Sequence, residues 1–256
     1  MNNNTKSEKS HWEVDMSSRN TKSLLKFVEN FLWSEEYKIF KKYIPNWFNK
    51  SSFFEVWAAP WIYSAIFKKY FDYIPWWIEY TEAGFKAIKR LLGLLKYDSD
   101  NFIKWDFLEL GIDTKYDLVF SSWFIEHFGN YTDMIHKHID LTKKWWYTII
   151  SVPNYNYIYK NFQEFIYPWL ISNQHIVKIM NNQTFRDEFS KIEKNFWVTI
   201  EFIWWIWNAQ FWHLQSKSIF VQKVIYLIDY IFLKLNIYSV LPKEPSLLLV
   251  ILKKNN

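Results

Sequence analysis

The order of apolar and polar residues divides the chain into three stretches. Residues 1–23 are rich in Asn, Ser, Lys and Thr and offer no apolar face, which predicts a disordered polar tail. Within 24–40, Leu25, Val28, Phe31 and Leu32 recur at helical spacing, and residues 24–50 read as an N-terminal helical cap. From residue 51 the rhythm changes. Short apolar runs predict strands at 53–56, 73–80, 101–104, 118–121, 147–152, 198–203 and 247–252. Longer 3.6-residue patterns between them predict helices at 62–71, 82–96, 132–141 and 176–194. A further helical stretch, 215–235, separates the last two strands within an insertion spanning 205–240. Strands alternating with helices mean an α/β domain on a mostly parallel sheet, here 51–256, with no internal repeat and no Pro/Gly linker to divide it.

The same pattern narrows compartment and partners. No run of about 18 uncharged apolar residues occurs, as a spanning helix requires. The best membrane candidate, 219–241, is interrupted by Lys223, Asp229 and Lys234, so it suits an amphipathic helix with peripheral contact at most. The polar N-terminal stretch lacks the apolar core of a signal peptide, and the expectation is a cytoplasmic protein. Net charge is +5, but Arg19, Arg90 and Arg186 are the only arginines, and the lysines are scattered. That distribution suits solvated helix faces, and nucleic acid is not an expected partner. The absence of cysteine excludes disulfides, thiolate metal sites and cysteine nucleophiles.

One compositional fact changes the picture. The chain holds 4 glycines and 17 tryptophans. Ordinary usage would give roughly 18 glycines in a chain this long.

The positions of those tryptophans follow a pattern. The first strand runs Phe53-Phe54-Glu55-Val56 into Trp57-Ala58-Ala59-Pro60-Trp61 and then a helix. A ligand lying across such a loop needs close backbone approach, which glycine allows and tryptophan does not. With glycine at 57 and 61 the segment reads E-V-G-A-A-P-G, which resembles motif I of the class I S-adenosylmethionine-dependent methyltransferases. Further resemblances follow in order. Trp77-Ile78-Glu79-Tyr80-Thr81-Glu82 looks like the family's segment at the end of the second strand, and Lys104-Trp105-Asp106-Phe107 like the one after the third. Asp117-Leu118-Val119-Phe120-Ser121-Ser122-Trp123-Phe124-Ile125-Glu126-His127 resembles the fourth-strand motif. Leu141-Thr142-Lys143-Lys144-Trp145-Trp146 and the strand to Pro153 resemble the turn and fifth strand. The match covers roughly residues 50–155, with a looser continuation to 252.

The resemblance implies a Rossmann-like seven-stranded sheet with helices on both faces and an antiparallel last strand. It implies S-adenosylmethionine as cofactor, no metal, and cofactor contacts from Glu55, Trp57, Ala59, Trp61, Glu79, Tyr80, Asp106, Phe107 and Ser121. Glu79 would accept the ribose hydroxyls and Asp106 would meet the adenine amino group. His127 would lie beside the transferred methyl as a general base, or as a pocket and packing residue. His136 and His138 sit two apart on a predicted helix and face different ways, a poor metal pair. The acceptor would be a small or saccharide-like molecule, with oxygen as the methylated atom. The tyrosine-rich segment 154–168 would line its pocket or pack a capping helix.

Tryptophan stands at the family's glycine positions 57, 61, 77, 105, 123, 145 and 146. A single reassigned codon, UGA, accounts for this: some lineages read it as glycine and others as tryptophan. The rival reading keeps the indoles, which would then form stacking platforms in a cofactor-dead binding module.

Overall fold

The structure, a computed structural model, describes residues 21–44, 50–57, 63–97, 101–111, 113–154, 158–166, 175–206, 218–234 and 247–255. Two short helices, α1 (Thr21–Asn30) and α2 (Glu35–Tyr43), lead into the sheet. Within the expected helical cap over 24–50, the chain breaks at Ser34, whose hydroxyl accepts from the Tyr37 backbone N–H as an N-cap, ahead of Glu35 and Glu36 in the new first turn.

The alternation then runs β1 (Ser52–Val56), α3 (Tyr63–Phe71), β2 (Ile74–Ile78), α4 (Glu82–Leu94), β3 (Phe102–Ile103), β4 (Tyr116–Ser122), α5 (Tyr131–Leu141) and β5 (Thr142–Pro153). It continues with α6 (Ile158–Ile166), α7 (Asn182–Asn195), β6 (Val198–Ile206), α8 (Ile219–Lys234) and β7 (Leu247–Lys254). All seven expected strands form, in the order β3-β2-β1-β4-β5-β7-β6. β1 to β5 pair in parallel, while β7 lies antiparallel between β5 and β6.

Strand residues alternate between two cores, as a sheet covered on both faces requires. Phe54, Val56, Val119, Ile150, Val152 and Val250 pack with α5 and α7 on one face. Phe53, Trp77, Leu118, Phe120, Ile149 and Ile251 pack with α1 to α4 on the other. Asp117 holds the amino ends of the central strands together. Its Oδ2 accepts from the Ser52 backbone N–H and hydroxyl, both at 2.7 Å, and its Oδ1 pairs with Lys143 Nζ at 2.9 Å. Burial works against the charge of Asp117, but these hydrogen bonds outweigh it and keep the carboxyl below its ordinary pKa. No helix among the described residues is long and apolar enough to cross a membrane.

Candidate functional site

From β1 the chain proceeds to β2 and β3 on one side, while β4 and β5 lie on the other. The β1/β4 boundary is therefore the topological switch point, and its carboxyl-end crevice is where open α/β sheets bind ligands. Four sequence features meet around it.

The first is the segment after β1. Glu55 is buried, and its carboxyl caps α3: Oε1 accepts from Tyr63 N–H at 3.0 Å, and Oε2 accepts from Ser64 N–H at 2.7 Å and Ser64 Oγ at 2.6 Å. Burial pushes its pKa up to about 8 against those hydrogen bonds, with the nearby charge of Glu79 adding to the rise. Glu55 thus ties the strand to the helix across the loop, with its carboxyl turned toward the helix end. Trp57 follows with φ 56°, the left-handed region. Ala59 and Trp61 lie outside the described residues.

The second feature is the pair of strand ends at β2 and β3. Glu79 N–H donates to Ile103 O at 3.1 Å, so these ends lie side by side. The buried Glu79 carboxyl accepts from Thr81 N–H (2.8 Å) and Thr81 Oγ1 (2.5 Å). Thr81 in turn caps α4 through Gly84 N–H. Tyr80 beside it is exposed. Asp106 caps the short 3-10 turn Phe107–Glu109 by accepting from Leu108 N–H at 2.9 Å, and Phe107 is buried beneath.

The third is the segment after β4. Ser121 is fully buried at the strand end, and Trp123 turns the chain with φ 59° into the 3-10 turn Ile125–His127. The Trp57 ring lies 5.5 Å from Phe124 and 5.1 Å from His127, centroid to centroid, so the indole spans the crevice from the end of β1 to the turn after β4. Glu126 is wholly buried, and neither carboxyl oxygen finds a hydrogen-bond partner among the described residues. Burial holds its pKa well above the carboxylate range.

The fourth feature carried no sequence signal. The His175 ring lies 4.6 Å from that of His127, centroid to centroid and tilted by 44°, held by Ile176 N–H donating to Glu126 O at 2.6 Å. It lies in a stretch without apolar periodicity, so only the tertiary fold reveals the pair. By contrast, His138 is a core residue. It packs on Phe107 and Phe124, its Nδ1 is 2.7 Å from Met134 O, and burial pushes its pKa down to about 4. His136 packs against Phe196.

No family model matches the chain, and neither does any curated protein. Solved structures do. Coclaurine N-methyltransferase, bound to N-methylheliamine and S-adenosylhomocysteine, superposes with TM-score 0.57 at 11% identity, over 86% of this chain and 70% of that one. The plantazolicin methyltransferase bound to S-adenosylhomocysteine gives 0.53 at 15%, over 95% and 88%. Magnesium protoporphyrin IX methyltransferase from Synechocystis, also with S-adenosylhomocysteine, gives 0.51 at 9%, over 91% and 82%. At these identities the likeness is one of architecture. The chain has the fold of the class I S-adenosylmethionine-dependent methyltransferases.

Proposed function

We propose that the protein is a cytoplasmic methyltransferase that takes its methyl group from S-adenosylmethionine and delivers it to a small-molecule or saccharide-like acceptor, at oxygen. The observation that carries this reading is the meeting of the β2 and β3 ends, which lead into Glu79 and Asp106, beside a β1/β4 switch point in a fold that superposes on proteins crystallised with S-adenosylhomocysteine. On this reading Glu79, Tyr80, Asp106, Phe107 and Ser121 line the donor side and Glu55 sets the loop that follows β1. The bound donor supplies an activated methyl on its sulfonium. His127, with the tilted His175 ring beside it, faces the acceptor and is the group positioned to hold a proton there. The exposed apolar residues Phe220, Leu227 and Ile231 on α8 support peripheral membrane contact through 219–241, which liposome flotation would test.

The side chains as they stand do not fit a nucleoside donor, because the Trp57 indole lies in the crevice. That supports a second reading, a non-catalytic module presenting aromatic rings. Its other support is the exposure of Trp33, Trp105, Trp145 and Trp197. Calorimetric titration with S-adenosylhomocysteine separates the two. Protein carrying glycine at 57 and 61 is expected to bind, with Glu79→Ala weakening binding by roughly 100-fold. Failure of both the tryptophan and the glycine forms to bind would leave only the second reading.

A further inference from the structure

We infer that residues 57, 123 and 145 are glycine in the protein as its own cell makes it, and that the space filled here by the Trp57 indole is where donor and acceptor meet. The second half rests on the methyltransferase reading; the first does not.

The backbone carries the first half. Among the described residues, six non-glycine residues have left-handed φ: Lys50, Trp57, Asp72, Lys96, Trp123 and Trp145. Lysine and aspartate in exposed turns are unremarkable there, since short polar or flexible side chains tolerate the conformation. Tryptophan is not such a residue, and its bulky Cβ substituent crowds the following carbonyl. Yet half of the six are tryptophans, with φ 56°, 59° and 70°. They fall at the ends of β1 and β4 and in the Lys144-Trp145-Trp146 segment, three of the places where the sequence motifs want glycine.

The glycines themselves show the converse. None has positive φ. At Gly93 a Cβ would meet nothing within 4 Å, and at Gly111 only Asp113 Oδ2 at 3.7 Å. Glycine is thus present at two positions where it is not needed, and three positions that need it hold tryptophan. One codon, UGA, read as glycine in the native cell, produces that exchange without any change in the gene. Trp77 differs from these three. It lies on ordinary strand backbone with its ring buried 5.0 Å from Phe102, and its geometry does not ask for glycine.

The side chains carry the second half. With glycine at 57 the indole leaves the crevice, exposing Phe124 and His127, with His175 behind. The vacated space lies between the end of β1 and the paired imidazoles. A donor bound at the end of β1 would have its reactive end there, next to the groups that face an acceptor.

The test begins with peptide mass spectrometry of protein purified from cells that make it naturally, reading the tryptic segments 51–68, 116–137 and 145–160. Each segment is expected to be lighter than its tryptophan form by an indolylmethyl group for every glycine. Tryptophan masses at 57, 123 and 145 would overturn the first half. For the second half, recombinant chain carrying Trp57→Gly, Trp61→Gly, Trp123→Gly and Trp145→Gly is compared with the same protein in which residue 57 alone remains tryptophan. Circular dichroism verifies that both fold. Retaining the indole at 57 is expected to weaken S-adenosylhomocysteine binding by roughly 100-fold. Equal affinity of the two folded forms would overturn the junction. Glycine masses combined with no binding by either form would leave the residue identities standing and remove the methyltransferase reading.

Discussion

The two ends of the central strand pair differ in the backbone strain and the unpaired buried groups they hold. At the amino ends of β1 and β4, one carboxylate meets three donors, Ser52 N–H, Ser52 Oγ and Lys143 Nζ, all within 2.9 Å. At the carboxyl ends of the same strands Glu55 also meets three donors, but Trp57 and Trp123 take left-handed backbone and Glu126 is buried with both oxygens lacking partners among the described residues. Sequence and packing are continuous between the two ends, so poor folding cannot explain the contrast. An end that has closed its hydrogen bonds contributes stability; an end that holds strain and uncompensated groups keeps the capacity to bind.

Four measurements would sharpen or break that contrast. The largest effect is expected for Asp117→Ala, which strands Ser52 and leaves Lys143 without its carboxylate. Chemical denaturation should show a loss of about 3 kcal/mol. A loss below about 0.5 kcal/mol, the range of ordinary surface changes, would mean the amino end is no staple.

Next comes the acid limb. His138 is buried beneath the carboxyl-end turns, with its pKa lowered to about 4 from 6.5. A base whose folded pKa is depressed binds fewer protons folded than unfolded, so stability drains as pH falls through 6.5 toward 4 and is fully lost below. The two-and-a-half-unit gap corresponds to about 3 kcal/mol at its fullest, of which about 2 should be visible above pH 5. His138→Phe should flatten this limb of the pH–stability curve, and an unchanged limb would place its cause elsewhere.

Glu126 acts in the opposite direction. Its pKa is raised, so its contribution is present at low pH and lost as pH rises through the elevated value. Glu126→Gln cannot lose a proton and should be more stable at alkaline pH by about 1–2 kcal/mol. A variant less stable than the parent at every pH would show that the carboxyl has a partner and that the two ends are alike.

The smallest effect is expected at Trp145, whose ring is 63% exposed and whose φ is 70°. Trp145→Gly relieves the left-handed strain with little packing to lose and should gain about 1 kcal/mol, or about 2–4 °C in Tm. Trp33→Gly is the control, since Trp33 is also exposed but lies in a 3-10 turn without positive φ, and there glycine should cost stability.

The strands were legible from residue order because each is a short apolar run bounded by turn residues, and burial on both faces leaves few other ways to form them. Helix limits were less so. The apolar spacing at 25, 28, 31 and 32 meets Glu35 and Glu36 where the next turn's apolar residues would fall, and the cap at Ser34 makes that interruption the start of a second helix, a local signal at most. β5 begins at Thr142, five residues before the apolar run at 147, since its early pairing with Tyr116 crosses an irregularity in register. In the site, Glu55, Glu79 and Asp106 were legible as strand-end acids. Each proves to accept hydrogen bonds from the segment that follows it, which spacing alone does not disclose. His175 was not legible at all, because what brings it to His127 is a backbone hydrogen bond from its neighbour Ile176 to Glu126, and no pattern in the sequence encodes that.

The position of β7 has a consequence for how the chain is made. β7 follows β6 in sequence yet lies between β5 and β6, bonded to both. While residues 247–254 are still inside the ribosome, β5 offers a bare edge and β6 has no neighbour in the sheet. The nascent protein therefore carries these open edges, besides that of β3, until β7 emerges, and a ribosome stalled shortly before that point holds the form most prone to pair with a neighbouring chain.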